Sequence, residues 1–500
     1  MACIIDGDHQ EPDNQGMSLQ STLLSLLASC VCGLATAQAL PPEVAAALAR
    51  AKVPLESVTL LVVEAEGKAP PRLSHRAQVP VNPASVMKLV TTYAALDLLG
   101  PAYVWRTPVY LDGAVRQGTL HGNLIIKGQG DPKLVLERLW LLLRRVQGLG
   151  ITQITGDIVL DNSAFEPITS DPASFDGEPL RPYNAAPDAL LINFKSVLMS
   201  FVPDRAARTA SVQFEPTLLG VQMQKSVPLS GPESGACGDY RGALKADFSD
   251  AAQIRFNGSY PMACGEKVWP LAYADPPSYN RRAVAALWQE IGGKLGGTVR
   301  MGRLSETASA GPNAAPEPVF EMNSAPLAEM IRDINKYSNN VMAQQVFLTL
   351  SLPGSGANVG TSAASRESSR AVLRRWWQER IGSDDAPQLD NGAGLSRSER
   401  ISAQALGRLL QVAYRSPLMP ELMSSLPISG VDGTLKRSRA MLEGGAHLKT
   451  GSLRDVAALA GYVHGRSGKR YCLIAIANHA NAQAARPAFD ALLDWAIKDN

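Results

Sequence analysis

Residues 82–99 have the sequence NPASVMKLVTTYAALDLL, and their pattern predicts a helix with a serine near its start. Asn82 can cap this helix, Pro83 suits its first turn, and an apolar run follows. In such a helix Ser85 lies in the first turn, and Lys88, three residues later, lies on the same face. The stretch therefore brings a hydroxyl and an amine together at a helix N-terminus.

This pairing can make the serine reactive. A serine hydroxyl is a weak nucleophile that needs a base, and a lysine whose pKa is lowered by burial and by neighbouring cations can be that base. The helix N-terminus favours a developing oxyanion, to which the Ser85 backbone N–H can donate a hydrogen bond. Alone, a Ser-x-x-Lys spacing is unspecific, because two ordinary helix residues give the same pattern.

A second motif, YSNN (residues 337–340), supplies a hydroxyl and an amide two residues apart, on Ser338 and Asn340. It lies where a loop is predicted to meet a helix. Its ordinary interpretation is a helix cap.

A third motif, KTGS (residues 449–452), lies in a predicted strand. Strand alternation puts Lys449 and Gly451 on one face. We expect Gly451 to let a substrate backbone approach, and the Ser452 N–H to be the second oxyanion donor. Each motif alone is common, and this one is also typical of a strand edge. The three together, in this order, predict one site.

The set S-x-x-K, S-x-N, K-T-G resembles the signature of the penicillin-recognising serine acyltransferases, which are penicillin-binding proteins and serine β-lactamases. About 250 positions separate Lys88 from Ser338, which leaves room for one or two inserted domains. That spacing is similar to the D-alanyl-D-alanine carboxypeptidase/endopeptidase family of class C low-molecular-mass penicillin-binding proteins. The stretches GNLIIKGQGDPKL (122–134) and LDNGAGLSRSERIS (389–402) also resemble this family.

The resemblance implies roles for the motif residues. Ser85 would attack the D-Ala-D-Ala peptide bond and form an acyl-enzyme. Lys88 would take its proton, with the second lysine of the site as an alternative base. Ser338 would pass a proton to the leaving D-alanine, and Asn340 would bond both Lys88 and the substrate amide.

The remaining implied roles concern substrate binding. Lys449 and Thr450 would hold the terminal carboxylate of the peptide. Asp161, at the end of the strand GDIVLD, and Arg397, in NGAGLSR, would bind the amino and carboxylate groups of a diamino acid side chain. A turn aspartate and a surface arginine are equally good interpretations of these two. No metal or organic cofactor is implied.

The fold class expected is α/β (α+β), with a β-lactamase/transpeptidase-like catalytic domain whose antiparallel sheet is covered by helices. Helix and strand patterns at both ends of the chain bracket a β-rich middle. The catalytic domain is therefore assigned to residues 38–105 and 325–500. Two nested, β-rich inserted domains are assigned to residues 106–178 with 285–324, and to residues 179–284.

The first 37 residues predict an export signal. A short, Ser-rich apolar run from Met17 ends in ATA (35–37), a small-x-small pattern typical of a secretory cleavage site. LASC (27–30) also resembles a lipoprotein processing site, and a buried N-terminal helix is a further alternative. The run is too short and too polar to span a membrane well. A periplasmic protein with at most peripheral membrane association is expected.

Export changes how the cysteines are interpreted. Cys237 and Cys264 lie in one Gly/Pro-rich stretch, each followed by glycine. An oxidising compartment favours a disulfide between them. Cys472 lies in the apolar run RYCLIAIANH, and is expected to be a buried, free thiol.

Charge excludes some partners. The 500 residues carry 48 Lys and Arg against 46 Asp and Glu, a net charge of +2, so a basic surface for nucleic acid is not expected. The six histidines show no metal-ligand spacing. Peptidoglycan stem peptides and β-lactam antibiotics are the expected partners, and a homo-oligomer is possible.

Two other functions fit parts of the pattern. A serine β-lactamase would need rapid deacylation, and no glutamate is placed for it as in class A enzymes. A catalytically silent peptidoglycan-binding scaffold protein would not need all three motifs. A labelled penicillin separates these: a stable adduct indicates the peptidase, rapid turnover a β-lactamase, and no labelling a scaffold.

Overall fold

The computed structural model contains four β-sheets and eleven α-helices among the residues that it describes. These residues are 39–168, 171–304, 317–353, 363–382, 385–438 and 444–499. The predicted export signal lies outside them. All elements below belong to the compact unit Leu40–Asn500.

The first sheet has five antiparallel strands, built from the two ends of the unit. In spatial order they are β18 (Ala446–Leu453), β19 (Val456–His464), β20 (Arg470–Asn478), β1 (Val58–Glu64) and β2 (Leu73–His75). The KTG motif therefore lies on β18, at one edge of the sheet, where β19 is the neighbouring strand and His447 also forms an isolated bridge with Ile428.

Helices cover both faces of this sheet. Because strand side chains alternate between faces, Ala458 and Ala460 join one apolar cluster while Ala457 and Leu459 join another. The helices are α1 (Pro42–Arg50), α2 (Lys88–Leu99), α3 (Leu136–Gly148), α4 (Tyr240–Leu244), α5 (Pro276–Glu290), α6 (Leu327–Tyr337), α7 (Asn340–Thr349), α8 (Arg366–Arg380), α9 (Ala403–Arg415), α10 (Met419–Ser425) and α11 (Arg486–Ile497). The first cluster includes α2, α6, α7, α8, α9 and α10, and the second includes α1 and α11.

The other three sheets come from the middle of the chain. The second has seven strands: β3 (Arg106–Arg116), β4 (Thr119–Lys127), β5 (Gln153–Ile154), β6 (Ile158–Asp161), β15 (Lys294–Leu295), β16 (Val299–Met301) and β17 (Phe320–Asn323). The third has five: β7 (Ser196–Asp204), β8 (Thr209–Glu215), β10 (Ser226–Ser230), β13 (Tyr260–Pro261) and β14 (Lys267–Ala272). The fourth has three: β9 (Gln222–Met223), β11 (Ala246–Asp250) and β12 (Gln253–Phe256).

Apolar side chains from these three sheets and from α5 share one cluster, separate from the two that cover the first sheet. We therefore propose the division into a catalytic part and two nested insertions, with the addition that the insertions share a core. Cys237 and Cys264 form a disulfide beside the third sheet, with their Cα atoms 4.3 Å apart. Cys472 is a free, buried thiol in β20.

The helix predicted over residues 82–99 begins later than expected. Residues Ala84–Met87 form a 3-10 turn, and α2 begins at Lys88. Ala84 has a φ of 46°, in the left-handed region, so an α-helix cannot pass through it. Ser85 is therefore held on a separate turn ahead of the helix.

Candidate active site

The turn that carries Ser85 is fixed by hydrogen bonds at its start. Asn82 Oδ1 accepts a hydrogen bond from the Ala84 N–H at 2.9 Å, and Asn82 Nδ2 donates to the Ser396 carbonyl at 2.9 Å. Asn82 thus ties the turn to the segment that contains Ser396, rather than capping a helix.

Two glycines let neighbouring segments approach this turn. A Cβ atom on Gly394 would collide with the Ala84 carbonyl oxygen, and one on Gly451 would lie 2.6 Å from the Pro83 carbonyl oxygen. That Gly451 lets a substrate backbone approach stays a prediction. Its missing side chain makes room for the turn that carries Ser85.

Lys88 lies directly beneath the serine and is fully buried. Its Nζ is 2.9 Å from Ser85 Oγ, 2.6 Å from Asn340 Oδ1 and 2.5 Å from the Ala393 carbonyl oxygen. The last two atoms can only accept. Burial and the nearby positive charge of Lys449 hold the pKa of Lys88 well below its usual value, against an opposing effect of Glu399.

This arrangement suits a neutral amine. A neutral lysine amine has two N–H donors and one lone pair. If Asn340 and Ala393 take the two donors, the lone pair remains for the Ser85 hydroxyl proton. The geometry therefore allows Lys88 to act as general base toward Ser85.

A second serine–lysine pair lies across the site. Lys449 Nζ donates to Ser338 Oγ at 2.9 Å and to the Thr450 carbonyl at 2.6 Å. Burial alone lowers the pKa of Lys449 to about 7. This pair can therefore exchange a proton near neutral pH.

Ser338 and Asn340 lie at a junction between two helices, rather than between a loop and a helix as expected. Ser338 ends α6 in the left-handed conformation, with a φ of 57°. Asn339 caps α7 by accepting the Met342 N–H at 3.0 Å. The sharp turn lets the Ser338 and Asn340 side chains reach the two different lysines.

Strand β18 directs some of its backbone N–H and C=O groups to the edge that faces away from β19. The Leu448 N–H donates to the Pro427 carbonyl, and the Ala446 carbonyl accepts from Ser429, both on the side away from β19. Because this direction alternates along a strand, Thr450 and Ser452 also direct their N–H and C=O groups to that edge. The Ser452 N–H is thus directed away from β19, and its role as an oxyanion donor stays a prediction.

The site opens into a cavity of about 1150 Å³. Ser85, Ser338, Asn340, Ser452 and Arg397 line it. The Thr450 hydroxyl is bonded to the Thr434 hydroxyl at 2.7 Å. The structure therefore brings the three motifs and Arg397 together.

Asp161 does not line this cavity. Its buried carboxylate accepts the N–H groups of Ser163 and Leu304, both at 2.9 Å. The aspartate at the end of β6 therefore holds local backbone, away from the wall of this cavity. It fits the interpretation as a turn aspartate.

A different aspartate lies in the cavity with Arg397. Asp176 accepts the Tyr183 hydroxyl at 2.8 Å and two N–H groups at 2.9 and 3.0 Å, and Asp176 and Tyr183 both line the wall. Arg397 stacks on Phe175, 4.8 Å from the ring centroid, and pairs with Asp455 at 2.8 Å. Sequence reasoning missed Asp176, because it lies in an irregular segment without a motif around it.

No metal or membrane-spanning element emerges within the described ranges. There, no three histidine, cysteine, aspartate or glutamate side chains are grouped so that they could hold a metal ion. The helices of the same residues are too short or too polar to cross a membrane.

The fold and the two serine–lysine pairs define a serine acyl-transfer enzyme of the penicillin-recognising class. Residues 40–498 match the model of the D-Ala-D-Ala carboxypeptidase 3 (S13) family, and the chain belongs to this family. It is therefore a serine-type D-Ala-D-Ala carboxypeptidase, a hydrolase.

Relatives agree with this assignment. A D-alanyl-D-alanine carboxypeptidase of Actinomadura sp. (strain R39) is 30% identical over 407 residues, covering 77% of this chain and 71% of the relative. D-alanyl-D-alanine carboxypeptidase DacB of Haemophilus influenzae is 22% identical over 401 residues, covering 79% and 80%. The crystal structure of penicillin binding protein 4 (dacB) from H. influenzae superposes with a TM-score of 0.69 at 20% identity, covering 90% of this chain and 99% of that one.

Proposed function

We propose that Ser85 is the nucleophile with which this chain hydrolyses D-Ala-D-Ala stem peptides of peptidoglycan, and that penicillin acylates the same atom. The observation that carries the proposal is the meeting of two serine–lysine pairs, Ser85–Lys88 and Ser338–Lys449, at one cavity. One pair can activate the attacking hydroxyl while the other serves the leaving group.

In the acylation step, Ser85 Oγ bonds to the carbonyl carbon and its proton passes to Lys88 Nζ. The oxyanion accepts hydrogen bonds from the N–H groups of Ser85 and Ser452. As the C–N bond breaks, Ser338 gives its proton to the departing amine and takes another from Lys449. Free D-alanine leaves, and the ester on Ser85 remains.

Deacylation reverses these transfers. A water attacks the ester carbonyl carbon and gives a proton to Lys449 through Ser338. The proton held on Lys88 returns to Ser85 Oγ as the ester bond breaks. Both lysines and both serines recover their starting states, as a catalytic cycle requires.

The cavity supports a substrate with a charged side chain. Asp176 and Arg397 line it together, so an ammonium and a carboxylate on one diamino acid side chain would each meet an opposite charge. We assign to Asp176 the role that the family resemblance implies for Asp161. A volume of about 1150 Å³ exceeds the needs of a terminal D-alanine and favours endopeptidase action on cross-linked peptides as well.

This function requires export. Peptidoglycan lies outside the cytoplasmic membrane, and the predicted signal in residues 1–37 and the Cys237–Cys264 disulfide both fit an oxidising compartment. A periplasmic location with at most peripheral membrane association follows as part of the proposal.

Labelling with a fluorescent penicillin tests the nucleophile. Ser85→Ala should abolish the covalent adduct and D-alanine release, while Ser74→Ala, at an exposed serine on β2, should leave both unchanged. The loss should span several orders of magnitude, because removing a nucleophile disables the whole catalytic unit. Labelling retained in Ser85→Ala would contradict the proposal, and rapid turnover of the penicillin by the wild type would instead indicate a β-lactamase.

A further inference from the structure

One carboxylate lies buried behind the active site, and the steps above make no use of it. Glu399 is completely buried. Its Oε1 accepts three backbone N–H groups, from Asp390 at 3.0 Å, Asn391 at 3.1 Å and Gly392 at 2.9 Å. Within the described residues, its Oε2 has no hydrogen-bond partner.

These three N–H groups belong to the loop 390–394, which reaches the catalytic lysine. The next residue, Ala393, supplies the carbonyl that accepts from Lys88 Nζ at 2.5 Å. The Gly392 carbonyl accepts from Thr91 Oγ1 at 2.7 Å, one turn further along α2. Glu399 therefore holds the N–H groups of a loop whose Ala393 carbonyl contacts Lys88.

The charges around Lys88 give this carboxylate a second effect. Lys449 is buried beside Lys88 and opposes a positive charge on it, whereas Glu399 favours one. Glu399 is itself influenced by Asp390, by the three N–H groups and above all by burial, which raises its pKa. A buried carboxylate is costly unless its hydrogen bonds and a nearby positive charge compensate for it.

We propose that Glu399 is a positioning residue for Lys88, which holds the Ala393 carbonyl against the amine and supplies the negative charge that favours its protonated form. When Lys88 takes the proton of Ser85, a positive charge forms in a site that already contains Lys449. The charge on Glu399 stabilises that state without touching substrate. This inference rests on the proposed function of Ser85 and Lys88.

The test is the pH dependence of the second-order rate constant for acylation by a fluorescent penicillin. Its acid limb follows deprotonation of the base in the free enzyme. Glu399→Gln keeps an oxygen for the three N–H groups but removes the charge. The acid limb should move to lower pH, on the order of one unit, and the plateau should fall several-fold because the base is weaker.

Control variants separate charge from structure. Glu64→Gln makes the same change at a carboxylate paired with Lys469. The acid limb of its pH profile should coincide with that of the wild type. Thr91→Val loosens the loop without changing any charge, and should lower the plateau with no shift of the limb. An acid limb in Glu399→Gln that coincides with the wild type would overturn the proposal.

If Glu399→Gln does not fold, a variant that retains the carboxylate still tests the proposal. Glu399→Asp shortens the side chain by one methylene and so moves the negative charge further from Lys88. The acid limb of the pH profile should then shift to lower pH by a smaller amount than in Glu399→Gln. No shift in a folded Glu399→Asp would also overturn the proposal. If the wild type itself were not acylated, the proposed function would fail instead, so the two failures are distinguishable.

Discussion

Lys88 and Lys449 are both fully buried, and each is hydrogen-bonded to a serine that lines the same cavity. Each ammonium would lose its hydration on burial and would repel the other. The lowest cost is reached when Lys88 is neutral at rest, which is also the state in which it can accept a proton from Ser85. Burial therefore favours the same protonation state of Lys88 that its proposed role as a base requires.

Replacing the base tests this assignment. Lys88→Met preserves much of the side-chain volume but has no lone pair to take the Ser85 proton. We expect penicillin acylation to slow by roughly 10²- to 10⁴-fold, the usual contribution of a general base, measured as the rate of covalent labelling. Lys225→Met, at an exposed lysine, should acylate like the wild type. Equal rates in Lys88→Met and the wild type would assign the base elsewhere.

For single residues, the sequence indicates those that occur in motifs. It does not indicate those whose side chains bind main-chain groups. The spacing within each short motif brings out Ser85, Lys88 and Lys449. Glu399 binds only main-chain N–H groups, which lie seven to nine residues earlier in the chain, and no side-chain pattern reports such contacts. Asp161 shows the reverse case, since an aspartate after a strand resembles a ligand until its N–H partners are known.

Among the elements, β18 and the Ser85 turn must lie very close for the site to form. Gly451 permits this, and an added Cβ would also lie 3.0 Å from Ala458 Cβ. Gly451→Ala should therefore push the strand from the turn, slow acylation roughly 10- to 100-fold and lower stability by about 1–3 kcal/mol. Gly148→Ala, in α3 with open space around it, should keep full acylation. Normal acylation by Gly451→Ala would refute the close-approach argument.

The disulfide is a second local feature that stabilises the structure, and it lies in the proposed insertions. Cys237 and Cys264 close a loop with a sequence separation of 27, which corresponds to about 3–4 kcal/mol of stabilisation. The double variant Cys237→Ser/Cys264→Ser should unfold at lower temperature, yet acylate penicillin normally at 25 °C because the bond lies outside the site. Alkylation of both thiols in the unreduced wild type would show that the bond is absent.

Local patterns predict most elements but not how their ends are formed. The apolar run after Lys88 predicts α2 well, whereas the 3-10 turn before it depends on Ala84 adopting a positive φ beside Gly394 and Gly451. Those glycines are more than 300 positions away in sequence. A window of neighbouring residues contains no information about such a contact.

At the scale of the whole molecule, the three motifs lie on both sides of the proposed insertions. Ser85 precedes them and Ser338 follows, and only the five-stranded sheet, with strands from both ends of the chain, brings these segments together. The long interval between the motifs predicts inserted material. It does not predict that the three inserted sheets share one apolar core, since that depends on which faces meet in space.

Burying the lysines also makes the stability of the whole molecule depend on pH. The pKa of Lys449 is about 7 in the folded state and about 10.4 in an unfolded chain. Between these values the unfolded state binds more protons, so the free energy of unfolding rises with pH, by at most about 1.4 kcal/mol per unit from this group. Below pH 7 the full penalty remains, because both states are then protonated.

Lys449→Met removes this contribution, together with the effect of the Lys449 charge on the pKa of Lys88. Thermal unfolding midpoints of the wild type and the variant, measured from pH 6 to 10, should therefore differ in slope. Relative to Lys449→Met, the wild type should become more stable as the pH rises above 7, while Lys225→Met should run parallel to the wild type. Parallel curves for Lys449→Met would mean that Lys449 keeps an ordinary pKa in the folded protein, and the proton exchange assigned to Ser338 and Lys449 near neutral pH would lose its basis.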